Sequence, residues 1–441
     1  MYTEYDYQNQ PIVDIVNAML IDAARKRASD IHMDPTPDVL NIRIRVDGEL
    51  ILYSVVPEAV KKNLVTRVKI ISGMNITESR IPQDGAIKMT ADGKDLDFRV
   101  STLPIVYGEK VVIRLLDYSA TTSSLDALGF SQRNYELVQK AISKPNGIIL
   151  VTGATGTGKS TTVYAVLETL NTENRNIITV EDPVEMKIAG INQVQTMSEI
   201  GLDFATALRS ILRQDPDIIM IGEIRDNETA RIAVRASITG HLVLSTIHTN
   251  NSLTTIERLV DMDVERYLLG SALEAIISQR LCKKLCPKCR EPRPTTEYEK
   301  RVFKAALGMD IENIYKPVGC DSCYKGYNGR IPLHEVLVLN QEIRDAIVNN
   351  MPKEEIRELI YSNGTATSLL DDGLIKVING LTSFEEVLRV IDIEDDLGEK
   401  QKDLKNAIIG KVERKPKKEE SSKATPPVHE AQVNSIETLE I

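Results

Sequence analysis

Tryptophan is absent from the 441 residues, phenylalanine occurs five times, and aromatic residues make up 4% of the chain. A platform of aromatic side chains stacking on nucleic-acid bases is therefore not expected. A net charge of −10 likewise argues against broad coating of a polyanion, so no direct nucleic-acid binding is expected. No uninterrupted apolar run is long enough to span a bilayer. The first residues, Met1 to Asp6, have neither a basic segment nor an apolar core and do not read as a signal peptide. A cytoplasmic location follows as the expectation. There, five cysteines serve as metal ligands or free thiols rather than disulfides. A hydrophobic content of 42% and a charged content of 27% describe a soluble globular protein, and the length predicts about two to four domains.

The most informative stretch is Gly153-Ala154-Thr155-Gly156-Thr157-Gly158-Lys159-Ser160, which fits G-x-x-x-x-G-K-[ST]. The apolar run 147–151 leads in as a buried strand, and Thr161 opens a helical run that leads out. Glycines let successive N–H groups close around an anion, and the helix N-terminus adds a favourable dipole. Gly153, Thr155, Gly156, Thr157, Gly158 and Thr161 line such a loop, Lys159 reaches the β/γ-phosphates, and Ser160 ligates Mg²⁺. ATP with Mg²⁺ is the expected ligand.

Residues 1–10 are polar and expected to fray. Residues 11–116 read as a small α+β domain with an antiparallel sheet: a helical face from Ile12 to Ala23, strands punctuated by Asp47-Gly48 and Asp92-Gly93, a second helix over 60–74, and a last strand over 110–116. Arg99 and Arg114 sit on its strands. A charge among apolar neighbours is costly unless paired. From the residues alone a structural ion pair is the favoured reading, and a pair of fingers directed at the triphosphate is the sharper one.

After a polar linker, 117–130, the pattern changes to alternating strands and helices, the mark of a parallel α/β sheet over 131–395. Apolar strands are predicted at 148–152, 177–180, 218–221 and 242–246. Each ends in chemistry: the phosphate loop, Glu181-Asp182-Pro183-Val184-Glu185, Gly222-Glu223-Ile224-Arg225-Asp226, and Ile247-His248-Thr249-Asn250. Ligands of open α/β sheets bind at the carboxyl ends of strands, so these four ends assemble one site.

Those boxes, in this order, resemble the ATPases of type II secretion and type IV pilus assembly. The likeness lies in the aspartate box around Glu181, the Walker B segment ending at Gly222-Glu223, and the histidine box from Thr239 to Asn250. It covers residues 11–390. It implies a RecA-like ATPase domain behind the smaller domain, working as a homo-hexamer on an inner-membrane platform protein, with peripheral attachment to that membrane. Glu181 is implied to activate the attacking water, Glu223 to help hold Mg²⁺, His248 to sense the γ-phosphate, and Arg99 and Arg114 to act as arginine fingers. His241 is implied to be structural. Arg209, Arg213 and Arg280 are implied to lie near subunit interfaces or nucleotide. Alternatives are a retraction motor and a nucleic-acid-translocating ATPase. Many members carry a further N-terminal adaptor-binding domain, whereas this sequence starts almost at the first of the two domains above.

Cys286, Cys289, Cys320 and Cys323 form two C-x-x-C pairs, a good pattern for a structural tetrahedral Zn²⁺ within an excursion over 282–330. Cys282 is surplus. The resemblance associates such an element with the assembly branch. His334, between apolar neighbours, reads as a satisfied core or surface group. Residues 396–441 are polar and expected to be disordered.

Overall fold

The computed structural model describes residues 2–116, 124–361 and 365–391. The expected linker falls partly, and the expected disordered tail wholly, outside the described residues.

The first sheet contains β1 (Ala28–Pro35), β2 (Val39–Val46), β3 (Glu49–Pro57), β4 (Gln83–Ala91), β5 (Lys94–Ile105) and β6 (Gly108–Leu116). Its order is β3-β2-β1-β6-β5-β4, and every pair is antiparallel. The last strand in sequence is thus central. β6 is rich in β-branched residues, and its buried Val111 and Ile113 fit a position between two neighbours. The helices Ile12–Arg25 and Glu58–Ile71 bury Ile15, Val16, Met19, Leu64 and Val68 in the same core as Ile31, Ile42 and Phe98. Arg99 and Arg114 are direct cross-strand partners.

The stretch expected to fray is tied to this sheet from Thr3 onward. The Thr3 N–H donates to the Tyr53 carbonyl at 2.7 Å, and the Tyr5 and Tyr7 hydroxyls lie 2.6 Å from that of Tyr53 and 2.9 Å from that of Ser54. Three tyrosine rings supply apolar area that a count of polar residues overlooks.

The second sheet is built on β7 (Gly147–Thr152), β8 (Ile177–Glu181), β9 (Asn192–Gln195), β10 (Ile218–Ile221), β11 (Leu242–Ile247) and β12 (Leu273–Leu285). After a two-stranded antiparallel pair, β13 (Glu291–Pro294) and β14 (Asn313–Lys316), joined through the helix Glu297–Leu307, β15 (Tyr327–Val338) joins its edge. The order β15-β12-β7-β11-β10-β8-β9 is parallel except for β15, which is antiparallel to β12. The strands β7, β8, β10 and β11 are buried along their whole length, as expected of a sheet with helices on both faces. Two separate cores, one on each face, contain alternate residues of β7: Ile148 and Leu150 on one side, Ile149 and Val151 on the other. A further core around Phe303, Leu333, Leu374 and Phe384 supports the cysteine-bearing excursion. No helix among the described residues is long and apolar enough to cross a membrane.

His334 is buried with its ring stacked on Phe130, centroids 3.9 Å apart, and neither ring nitrogen has a hydrogen-bond partner. It is a core residue, though not the satisfied one expected.

Candidate nucleotide site and cysteine cluster

The site lies at the carboxyl ends of β7, β11, β10 and β8, which are consecutive neighbours in the sheet. Between β7 and the helix Lys159–Leu170, Gly153, Gly156 and Gly158 adopt φ of +150°, +80° and +88°. At Gly153 the conformation and the space both require glycine. A Cβ there would lie 2.5 Å from the Gln279 carbonyl oxygen and 2.6 Å from Thr157 Oγ1. Helices starting at Gln132, Phe204, Asn227 and Ser252 are capped by the side chains of Ser131, Asp203, Asp226 and Asn251. The helix after the loop has Gly158 at its N-cap and no side-chain cap. Its first N–H groups therefore remain available to an anion.

Lys159 is buried, and its ammonium donates to the Gly153 and Ala154 carbonyls at 2.8 and 3.2 Å. Burial pushes its pKa down; the Glu223 carboxylate opposes that shift and the Arg280 guanidinium adds to it. Its proximity to Glu223 brings the Walker lysine and the carboxylate after β10 into one electrostatic site. Glu223 itself is held by Arg225 and by His248, whose Nε2 lies 3.1 Å from Glu223 Oε2. The turns after β10 and β11 are cross-linked, with the Thr246 hydroxyl donating to the Gly222 carbonyl at 2.8 Å and the Ile224 N–H to the Thr246 carbonyl at 2.9 Å. Ser160 is exposed at the helix start. A hydroxyl and a carboxylate are the hard oxygen donors that suit Mg²⁺.

The two glutamates of the segment after β8 have different surroundings. Glu181 is buried. Its Oε1 accepts from the Thr179 hydroxyl at 2.6 Å and from the Gln193 amide at 3.0 Å, and its Oε2 accepts from the Tyr164 hydroxyl. The Tyr164 oxygen accepts in turn from the Glu185 N–H at 3.2 Å, so Glu181 fixes the turn that carries Glu185. Burial, with the Glu181 carboxylate added, raises the Tyr164 pKa and keeps it a donor. Glu185 is 41% exposed and pairs with Arg99 at 3.0 Å. Glu185 is therefore the more exposed of the two carboxylates, whereas Glu181, expected to activate the attacking water, is enclosed by donors. The signal for Glu185 was its place in the same box.

Arg114 Nε lies 3.0 Å from Asp30 Oδ1 and is 65% exposed. An ion pair this open contributes at most about 1 kcal/mol, so it holds the guanidinium only loosely. His241 Nδ1 contacts the Ala236 carbonyl at 2.9 Å, at the end of the helix Asn227–Ile238 and away from the carboxylates. Arg209 pairs with Glu228, Arg213 donates to the Arg209 carbonyl at 2.7 Å, and Arg280 donates to the Asn250 carbonyl at 3.0 Å.

Gln279, on β12, was not foreseen. It is buried, donates to the Thr157 carbonyl at 2.6 Å and accepts from the Thr162 hydroxyl at 2.8 Å. It thereby clamps the phosphate loop from the adjacent strand. Beside that loop a cleft of about 380 Å³ is walled by Ala154 to Thr157, by Arg280 to Lys283, and by Asp47 and Gly48 of the first domain.

The Sγ atoms of Cys286, Cys289, Cys320 and Cys323 all lie within 4.8 Å of one another. The separations are 3.9 Å between Cys286 and Cys320, 3.6 Å between Cys289 and Cys323, and 3.7 Å between Cys320 and Cys323. Thiolates about 2.3 Å from a tetrahedral Zn²⁺ are about 3.8 Å apart, so the donor set fits that ion. The Gly319 N–H points at Cys289 Sγ and the Cys320 N–H at Cys323 Sγ, 3.3 and 3.2 Å away, stabilising sulfur charge. Cys282 lies outside the cluster, and burial raises its thiol pKa to about 11.

A phosphate loop, a parallel sheet with acidic strand ends and a histidine beside the acid define a P-loop ATPase. The chain belongs to the type II/IV secretion system protein family, whose model matches residues 6–389. It is 47% identical over 384 residues to type II secretion system protein E of Aeromonas hydrophila, covering 86% of this chain and 75% of that one. It is 45% identical over 385 residues to the type IV pilus assembly ATPase PilB of Myxococcus xanthus, covering 86% and 67%. The solved pilus retraction motor PilT with bound ADP superposes with a TM-score of 0.59 at 26% identity, over 88% of this chain and 99% of that one. The ATPase DotB of Legionella pneumophila gives 0.66 at 22% identity over 87% and 97%, a likeness of fold.

Proposed function

We propose that the chain is a hexameric motor that hydrolyses Mg-ATP to drive assembly of a type IV pilus, a competence pilus or a type II secretion pseudopilus. It works at the cytoplasmic face of the inner membrane through a platform protein. The observation that carries this reading is the convergence of Lys159, Glu223 and His248 at neighbouring strand ends, with Glu185 after β8 paired to Arg99 of the first domain. The secretion and pilus-assembly relatives supply the machine, and the tetracysteine element favours assembly over retraction.

Lys159 and the loop N–H groups bind and orient the phosphates, and Ser160 and Glu223 hold the metal. Bound Mg²⁺ neutralises charge developing on the β- and γ-phosphates. Glu185 orients the attacking water, a role assigned to it because the oxygens of Glu181 are occupied. His248, bonded to Glu223, changes partner when the γ-phosphate arrives. Arg99 and Arg114 follow the charge on the phosphates, so the two domains close on ATP and part after hydrolysis. Cys286, Cys289, Cys320 and Cys323 hold a structural Zn²⁺.

Light scattering coupled to ATP turnover tests the motor reading. Activity is expected to rise with the six-chain species; equal activity per chain in the monomer would contradict a ring mechanism.

A further inference from the structure

The turn between β2 and β3 touches two functional regions at once. Asp47 and Gly48 have φ of +50° and +88°, the geometry of a tight hairpin turn that fixes the directions of its side chains. Asp47 Oδ2 accepts the Gly329 N–H at 2.9 Å. Glu49 accepts from Lys283 Nζ and lies 3.6 Å from Lys325 Nζ. Lys283 Nζ also sits 5.3 Å from the centre of the Tyr327 ring. On the opposite side, Asp47 and Gly48 form a wall of the cleft beside the phosphate loop.

The surface that receives this turn belongs to the tetracysteine element. Tyr324 follows Cys323 directly, and Tyr324 and Tyr327 exchange backbone hydrogen bonds of 3.0 Å around Lys325 and Gly326. The Gly326 carbonyl accepts the Cys286 N–H at 2.9 Å. A Cβ on Gly326 would lie 2.5 Å from Pro317 Cβ, so the hairpin is packed closely on the chain entering the second cysteine pair. The positions of Lys325, Tyr327 and Gly329 thus depend on both cysteine pairs.

We propose that Asp47 and Glu49 are positioning residues that couple the tetracysteine element to the nucleotide cleft, resting on the ATP-binding reading above. Metal held by the four thiolates fixes the hairpin over 324–329. That hairpin fixes the turn over 47–49, and the turn closes the cleft beside the phosphate loop. Loss of the metal then weakens nucleotide binding although the cysteines lie outside the cleft.

The test is titration of the full-length chain with a fluorescent ADP analogue, metal-loaded and after chelation, together with metal analysis. Glu49→Lys, which reverses one contact, and Asp47→Ala, which removes the other, are each expected to weaken binding on the order of fivefold, with zinc content unchanged. Glu49→Asp, which keeps the charge on a shorter side chain, is expected to retain most of the affinity. Chelation weakens the native chain to a similar extent and weakens Glu49→Lys no further. Native affinity in both single variants, a loss in Glu49→Asp as large as in Glu49→Lys, or an equal effect of chelation on native chain and variant would overturn the coupling. A native, metal-loaded chain that binds no nucleotide would instead defeat the ATP-binding reading itself.

Discussion

Glu181 and Glu185 are four positions apart in one box, yet their surroundings differ. Glu181 is enclosed by the Tyr164, Thr179 and Gln193 donors, and Glu185 faces Arg99. Glu185→Gln is expected to lower kcat about 100-fold or more with the melting temperature unchanged. Glu181→Gln places an amide N–H₂ among donors that need an acceptor, and should cost about 1–3 kcal/mol of stability as well as activity. Thermal melts beside steady-state kinetics check both; a Glu185→Gln protein with native kcat would return the chemical role to Glu181. His334 gives a pH prediction. Burial, with the nearby Lys376 ammonium adding, holds its pKa well below 6.5, so the folded chain keeps the ring neutral. The unfolded chain takes up a proton near pH 6.5 and the folded one does not. The stability His334 contributes is therefore complete above that pH and is lost as pH falls toward the folded pKa. The melting temperature should drop across this window, and His334→Phe, which keeps the stack on Phe130, should flatten the drop. Equal slopes for the two proteins would contradict it.

At the scale of elements, the loop and the four strands around it were legible because each carries a strong local signal. Glycines sit where φ must be positive, and apolar runs sit where both faces of a sheet are covered. β12 was not. Its sequence mixes buried Ile276 and Ile277 with Ser278, Gln279 and Arg280, and the polar residues disguise a strand whose Gln279 serves the loop. The central place of β6 was hidden for another reason, since strand order depends on long-range pairing that no local pattern records. Gln279 tests the value of the missed strand. Gln279→Ala leaves the Thr157 carbonyl and Thr162 hydroxyl without their partner, and is expected to raise the KM for ATP about tenfold with a smaller effect on kcat. An unchanged KM would mean that the loop holds its shape without β12.

In the whole molecule the first domain is joined to the ATPase domain by contacts of opposite character. Glu49 and Asp47 grip the cysteine-bearing excursion at one edge of the sheet, while Arg99 reaches Glu185 beyond β8, toward the other edge. Arg114 is weakly held by Asp30 and lies opposite Arg99 across β5 and β6. In the motor proposed above, these two contacts are the ones that domain closure on ATP would remake. Lys159 and its partners are expected to form a magnesium-dependent ATP hydrolysis site. The decisive measurement is phosphate release by the purified chain, with and without magnesium, beside Lys159→Ala. Turnover should require magnesium and fall to background in the variant; turnover that persists unchanged in Lys159→Ala would refute such a site.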